Sequence, residues 1–138
     1  MIYTPAAIYR QLPPDVGPRL AAALESAAVR RGGRAATVWF RADDIGVPGR
    51  QFRRMLDCFT AHQVPLAPAL VPAWLTPLRW NALKRLGHNG AHLWGWHQHG
   101  WRHRNHEAAG KKQEFGPARR RAGLRSDIER GRGRLEAI

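Results

Sequence analysis

The stretch Ala36-Thr37-Val38-Trp39-Phe40, followed directly by Arg41-Ala42-Asp43-Asp44-Ile45-Gly46, decides the fold of this chain. Its first five residues form a β-branched and aromatic run between glycine-rich and aspartate-rich sequence, which predicts a buried strand over 36–40. Beyond the turn that closes at Gly49, apolar side chains recur at i, i+3, i+4 and i+7, namely Phe52, Met55, Leu56 and Phe59. That spacing predicts an amphipathic helix.

The same order of strand and helix recurs along the rest of the chain. The further predicted elements are a helix over 18–31, strands over 64–71 and 92–96, a helix from Thr76-Pro77 to Gly87, and a weaker amphipathic helix from Pro117 to the end. Strands that alternate with helices predict an α/β fold of parallel strands with flanking helices. In such folds the functional groups lie at the carboxyl ends of the strands.

Length and composition predict a single domain over residues 1–138. The chain is 43% apolar and 24% charged, as in ordinary globular proteins, and it is short for two compact domains. Its one cysteine, Cys58, excludes an internal disulfide and a cysteine-built zinc module, so any metal must be held by histidine and carboxylate. The start, MIYTPAAIYRQLPPDV, lacks a basic segment followed by an apolar core, and no apolar run approaches the ~20 residues of a spanning helix. We therefore expect a cytoplasmic protein without a membrane partner.

A net charge of +13 raises the alternative of a basic domain that binds nucleic acid. The basic residues are 20 arginines against 3 lysines, and they are spread along the chain rather than gathered in one tract. A spread of this kind is more typical of a solvated surface, so a nucleic-acid partner is the less favoured expectation. The alternative predicts binding that depends steeply on salt and does not need the acidic pair at 43–44.

Two clusters of side chains suggest chemistry. Asp43 and Asp44 follow the first predicted strand, where adjacent carboxylates repel and one tends to be neutralised by a cation, a metal or a proton. The alternative is that one of them caps the next helix and the other is simply exposed. The segment 97–106 holds four of the seven histidines, and His99 and His103 have a spacing that lets both imidazoles reach one ion. An exposed polar loop or a pH-responsive patch is the alternative for this second cluster.

Together the clusters offer two histidines and one carboxylate, the ligand set of catalytic zinc and related metals, which leaves coordination positions for water. The other aspartate is then free to act as a base. Trp94 and Trp96 alternate as strand residues do, so we expect them in the core, whereas Trp101 lies between the two histidines and is expected at the site.

The run Phe40-Arg41-Ala42-Asp43-Asp44-Ile45-Gly46, with His99-Gly100-Trp101-Arg102-His103 some fifty residues later, resembles the polysaccharide deacetylase family, also called the chitooligosaccharide deacetylase homology domain. The first motif of that family is an Asp-Asp pair that ends the first barrel strand, and the second motif is His-x-x-x-His. The resemblance covers about residues 37–105. The stretch Gly110-Lys111-Lys112-Gln113-Glu114-Phe115-Gly116 also looks like a feature of one branch of that family.

The resemblance implies a role for each matching residue. Asp43 would be the catalytic base that deprotonates a metal-bound water, and Asp44, His99 and His103 would bind the metal, zinc in the first place, with cobalt or nickel as alternatives. Trp101 and Arg41 are the candidate contacts to substrate. The implied activity is hydrolysis of the acetyl group of an N-acetylated sugar or related amide, with a small molecule or an oligosaccharide as the partner.

The chain also departs from the family. An Arg-Pro motif and a later histidine that serves as general acid have no match after Asn105, and the first motif begins Arg-Ala rather than Thr-Phe. The family fold is a distorted barrel of seven strand-helix units, whereas this chain has room for three or four. The resemblance thus predicts the N-terminal half of such a barrel, truncated at its C-terminal side. A catalytically inactive metal-binding fragment is the alternative function. The chitin-disaccharide deacetylase type has a different histidine spacing, so we favour it less than the polysaccharide deacetylase family.

Overall fold

The computed structural model describes residues 13–138, and these divide into two compact units on either side of the Val38–Trp39 bond. The first described unit contains one helix, α1 (Val16–Arg30), which confirms the helix predicted over 18–31. Residues 1–12, which make up most of the N-terminal segment quoted above, lie outside the described residues. The expectation of a single domain over 1–138 stays a prediction.

The second unit, Trp39–Ile138, is a mixed α/β unit with a small parallel sheet. Its elements are β1 (Arg41–Ile45), α2 (Arg50–Ala61), β2 (Ala67–Leu70), a 3₁₀ helix (Pro72–Trp74), α3 (Pro77–Leu86), a second 3₁₀ helix (His88–Leu93), β3 (His97–Gln98) and α4 (Arg121–Glu136). The strands lie in the order β1-β2-β3, and each neighbouring pair is parallel. The predicted α/β class with parallel strands and flanking helices is confirmed, since α2 and α3 connect successive strands.

The three helices predicted for this unit are present. Helix α2 buries Phe52 and Leu56, two residues of the predicted apolar face. Helix α3 starts where predicted, because the Thr76 side chain accepts a hydrogen bond from the Arg79 N–H and Pro77 occupies the first turn. Helix α4 contributes Leu135, which packs against the core.

Two strands were predicted at the wrong positions. Residues 36–40 are not a strand, and Val38 and Trp39 are 66% and 67% exposed, because β1 begins only at Arg41, where pairing with β2 starts. Residues 92–96 are not the third strand either. His92 and Leu93 lie at the end of a 3₁₀ helix, and β3 begins directly after the predicted range, at His97–Gln98. In both places the pairing partner, rather than the local preference for strand, sets the position.

The core lies between the sheet and the helices that cover it. Its most completely buried leucines are Leu56, Leu75 and Leu83, each at most 1% exposed. Trp94 is buried beside them and donates its indole N–H to the Gly87 carbonyl at 2.6 Å, while Trp96 packs edge-on against Trp80. The prediction that Trp94 and Trp96 serve packing is therefore confirmed. Within residues 13–138 no helix has the length and apolar character needed to cross a membrane.

Candidate metal centre

A bulge in β1 places both aspartates on the exposed side of the strand. Ala42 pairs with Pro68 and Ile45 pairs with Leu70, so three steps along β1 match two steps along β2. The extra residue in β1 allows Ala42 and Ile45 both to pack against the core. The two residues between them, Asp43 and Asp44, are exposed. The carboxylates therefore lie within the end of β1, and not in a turn after a strand that ends at Phe40.

The two histidines lie in a loop that leaves β3 at the same edge of the sheet. The His99 N–H donates to the Leu70 carbonyl at 2.6 Å, which continues the pairing of β3 with β2 for one residue beyond the strand. The chain then turns through Gly100 at φ 59° and reaches His103, itself at φ 54°. Asp44 has φ 63°, so two of the three predicted ligands lie in the left-handed region that non-glycine residues rarely occupy.

The structure brings Asp44, His99 and His103 together, as the sequence predicted. Asp44 Oδ1 lies 3.1 Å from His99 Nε2 and 3.1 Å from His103 Nε2, and the candidate ligand atoms all lie within 4.8 Å of one another. The two imidazole rings stack at 5.6 Å between centroids with 27° between their planes. The His99 side chain is 25% exposed, whereas those of Asp44 and His103 are nearly half exposed, so the group opens to solvent.

The donor set fits a zinc-like ion. Zinc takes imidazole nitrogen and carboxylate oxygen at about 2.0–2.2 Å, and two such ligands at a tetrahedral angle lie about 3.4 Å apart. The observed 3.1 Å between Asp44 Oδ1 and each imidazole nitrogen is close to that separation. One carboxylate and two imidazoles fill three positions, which leaves a position free for water or substrate. Arg41, the nearest basic side chain in the sequence, is paired with Asp43 and does not neutralise Asp44.

Asp43 is held by Arg41 and is not part of the three-residue group. The Arg41 guanidinium donates to both carboxylate oxygens, Nε to Oδ1 at 2.5 Å and a second nitrogen to Oδ2 at 2.7 Å. These hydrogen bonds hold the pKa of Asp43 below its usual value, against the opposing effect of partial burial, and the charges of Arg41, His99 and His97 lower the pKa further. Asp43 is thus a carboxylate at neutral pH, and Arg41, the candidate substrate contact, is engaged with it.

Trp101 lies in the same loop with its ring partly buried. Its indole nitrogen is the one buried side-chain polar atom without a partner in the part of the chain that the structure describes. The Arg102 guanidinium lies 5.8 Å from the centre of the indole ring. Contact between Trp101 and a substrate stays a prediction.

The sequence reasoning missed two supporting residues. Trp74 packs edge-on against His103 at 5.7 Å between ring centroids, and it lies so close to Gly46 that any side chain at that position would collide with it. Glu114 accepts hydrogen bonds from the backbone of the histidine loop. The only signal for Glu114 was its place in the stretch 110–116, which looked like a feature of one branch of the deacetylase family.

No protein-family model, curated protein or solved structure matches this chain. The resemblance to the polysaccharide deacetylases therefore stays a prediction, carried by the two motifs and by the geometry into which they fold.

Proposed function

We propose that this chain is a metal-dependent amidohydrolase that removes the acetyl group from an N-acetylated sugar or a related amide. The observation that carries the proposal is the convergence of Asp44, His99 and His103 at one edge of the sheet, open to solvent, with Asp44 Oδ1 3.1 Å from each imidazole nitrogen. Two histidines and one carboxylate with room for a further ligand form the donor set of catalytic rather than structural zinc.

The residues around the group have separable tasks. Asp44, His99 and His103 would hold the ion, with zinc preferred and cobalt or nickel as alternatives. A bound divalent ion lowers the pKa of water towards ~7 and polarises the amide carbonyl. Asp43 is ionised and adjacent in sequence to a ligand, so it would accept the proton of the attacking water, and Arg41 would keep it oriented for that transfer. Trp101 would contact the sugar.

The fold agrees with this assignment. Successive parallel strands that lie side by side in sequence order, with helices between them, are how a β/α barrel begins. We therefore propose that β1, β2 and β3 are consecutive strands of a polysaccharide deacetylase-type barrel. The candidate ligands lie at the carboxyl ends of β1 and β3, the edge at which such barrels place their active sites.

The test is release of acetate from oligomers of N-acetylglucosamine by the zinc-loaded chain. Asp43→Asn is expected to abolish release while zinc stays bound, because it removes the base and keeps the three ligands. Asp57→Asn, at an exposed position of α2, is the matched control and is expected to retain activity. Zinc binding without acetate release by the wild type would instead support the inactive metal-binding alternative. Loss of zinc in Asp43→Asn would make Asp43 a ligand.

A further inference from the structure

The loop that carries the two histidines is held in place by several elements. We call residues 98–103 the ligand loop. Besides the bond from His99 to β2, the Trp101 carbonyl accepts from the Ala73 N–H at 3.0 Å. The Gln98 side-chain amide donates to the Gly100 carbonyl at 2.8 Å and to the Ile128 carbonyl of α4 at 3.1 Å. These contacts leave the N–H groups of residues 101, 102 and 103 to be satisfied by another partner.

That partner is the carboxylate of Glu114. Its Oε2 accepts from the N–H groups of Trp101 and His103, each at 3.2 Å, and its Oε1 accepts from the Arg102 N–H at 2.7 Å. Three successive amides that converge on one anion form a backbone nest, and the left-handed residues Gly100 and His103 give the backbone its concave shape. No lysine, arginine or histidine within residues 13–138 forms an ion pair with Glu114, so these amides are the principal partners of its charge.

We propose that Glu114 is a positioning residue of the metal centre, which fixes the ligand loop by binding three of its amides and so holds the His103 imidazole towards Asp44. The proposal rests on the metal site of the proposed function. His103 has a left-handed backbone and its Nε2 lies 3.1 Å from Asp44 Oδ1, and the hydrogen bond from its own N–H to Glu114 ties that backbone to the carboxylate. Charged acceptors make the stronger hydrogen bonds to backbone amides, so a carboxylate suits this position better than an amide.

The chain supplies a matched control in Glu107. Like Glu114 it is a half-buried glutamate that accepts from a backbone amide, in its case the Ala118 N–H at 3.2 Å. Its hydrogen bonds lie within residues 105–118 and do not involve the ligand loop. A change at Glu107 therefore disturbs the segment after the histidines without removing an acceptor from the amides of residues 101–103.

The experiment compares zinc affinity of the metal-free full chain for wild type, Glu114→Gln and Glu107→Gln, with absorption spectra of the cobalt-loaded proteins as a readout of ligand geometry. Removing a partner that orients a metal ligand typically weakens metal binding about 10–100-fold. We expect that loss, with an altered cobalt spectrum, for Glu114→Gln, because its amide nitrogen cannot accept. Glu107→Gln is expected to keep the affinity within about threefold and to leave the spectrum unchanged.

Each other outcome has a distinct meaning. If Glu114→Gln binds zinc as tightly as wild type, the positioning role is overturned and the proposed function is not. If Glu107→Gln loses as much zinc affinity as Glu114→Gln, the positioning role is also overturned, because any disturbance of the segment would then weaken zinc binding. Absence of zinc binding in the wild type overturns both this inference and the proposed function. If Glu114→Gln does not fold, Glu114→Asp gives the same test. The shorter side chain keeps the carboxylate but moves it away from the amides of residues 101–103 by the length of one methylene. Weakened zinc binding in that variant supports the role, and unchanged binding refutes it.

Discussion

Gly46, directly after the bulge, supports the metal centre through a close contact that no other residue allows. A Cβ at this position would lie 2.7 Å from Trp74 Cβ and 3.0 Å from Trp74 Cε3, whereas carbon atoms in contact prefer about 3.5–4.0 Å. Overpacking of this kind costs about 1–3 kcal/mol. Because Trp74 Cβ is fixed to the backbone and cannot swing aside, we expect Gly46→Ala to lower the free energy of unfolding by about 2–3 kcal/mol, in the upper part of that range.

Urea unfolding followed by tryptophan fluorescence measures this loss, since all six tryptophans lie at or after Trp39 and report on the second unit. With an m value of about 1.5 kcal/mol/M, the midpoint should fall by about 1.3–2 M. Gly49→Ala is the matched control, because a Cβ there meets nothing within 4 Å and its φ of −154° suits any residue. It should cost less than about 1 kcal/mol. If the two variants lose the same stability, the reasoning from the Trp74 contact is refuted.

Three further predictions concern the core, the acidic pair and the metal. Leu83→Ala, at a side chain with 0% exposure, should lower the free energy of unfolding by about 2–5 kcal/mol in urea, whereas Leu78→Ala on the same helix, 76% exposed, should change it by less than about 0.5 kcal/mol. Arg41→Ala should raise the pKa of Asp43 towards 3.8 in an NMR titration of its carboxyl. Since the pKa of Asp43 is lowered in the folded state, the Arg41–Asp43 pair stabilises the fold above pH 3.8, and this contribution is lost as pH falls through the lowered pKa. The destabilisation caused by Arg41→Ala should therefore become smaller in acid. Zinc at 100 times its Kd should raise the free energy of unfolding of the wild type by about 2.7 kcal/mol, and a chelator should reverse this gain. Zinc should not change the free energy of unfolding of Asp44→Asn.

Local sequence signals predicted the helices of the second unit well. The apolar spacing from Phe52 to Phe59 and the Thr76-Pro77 start each require only neighbouring residues, so they can be read without the tertiary structure. Strand positions depend on partners distant in sequence. Val38 and Trp39 have the composition of a strand, yet the backbone begins to pair only at Arg41, opposite Ala67.

The candidate site was predicted as a set of residues but not as a geometry. Spacing and residue type were enough to group one of the two aspartates with His99 and His103, because both motifs follow predicted strands. The resemblance to the polysaccharide deacetylases then selected Asp44 as the ligand. The bulge that exposes Asp43 and Asp44 together arises from register with β2, which the local sequence does not show.

Backbone hydrogen bonds to a distant side chain leave even less trace in sequence. Glu114 lies eleven residues from His103, and its contacts are to amide groups that every residue except proline carries. Its role could therefore be found only once the path of the chain was known.

The central claim is that Asp44, His99 and His103 hold one metal ion, and the most direct test is calorimetric titration of the metal-free chain with zinc. We expect one zinc per wild-type chain and no binding at this site in the His99→Ala/His103→Ala double variant. His92→Ala should bind like wild type, because His92 lies in the second 3₁₀ helix, where its ring faces Gln63. Equal zinc binding by the double variant and the wild type would contradict the assignment.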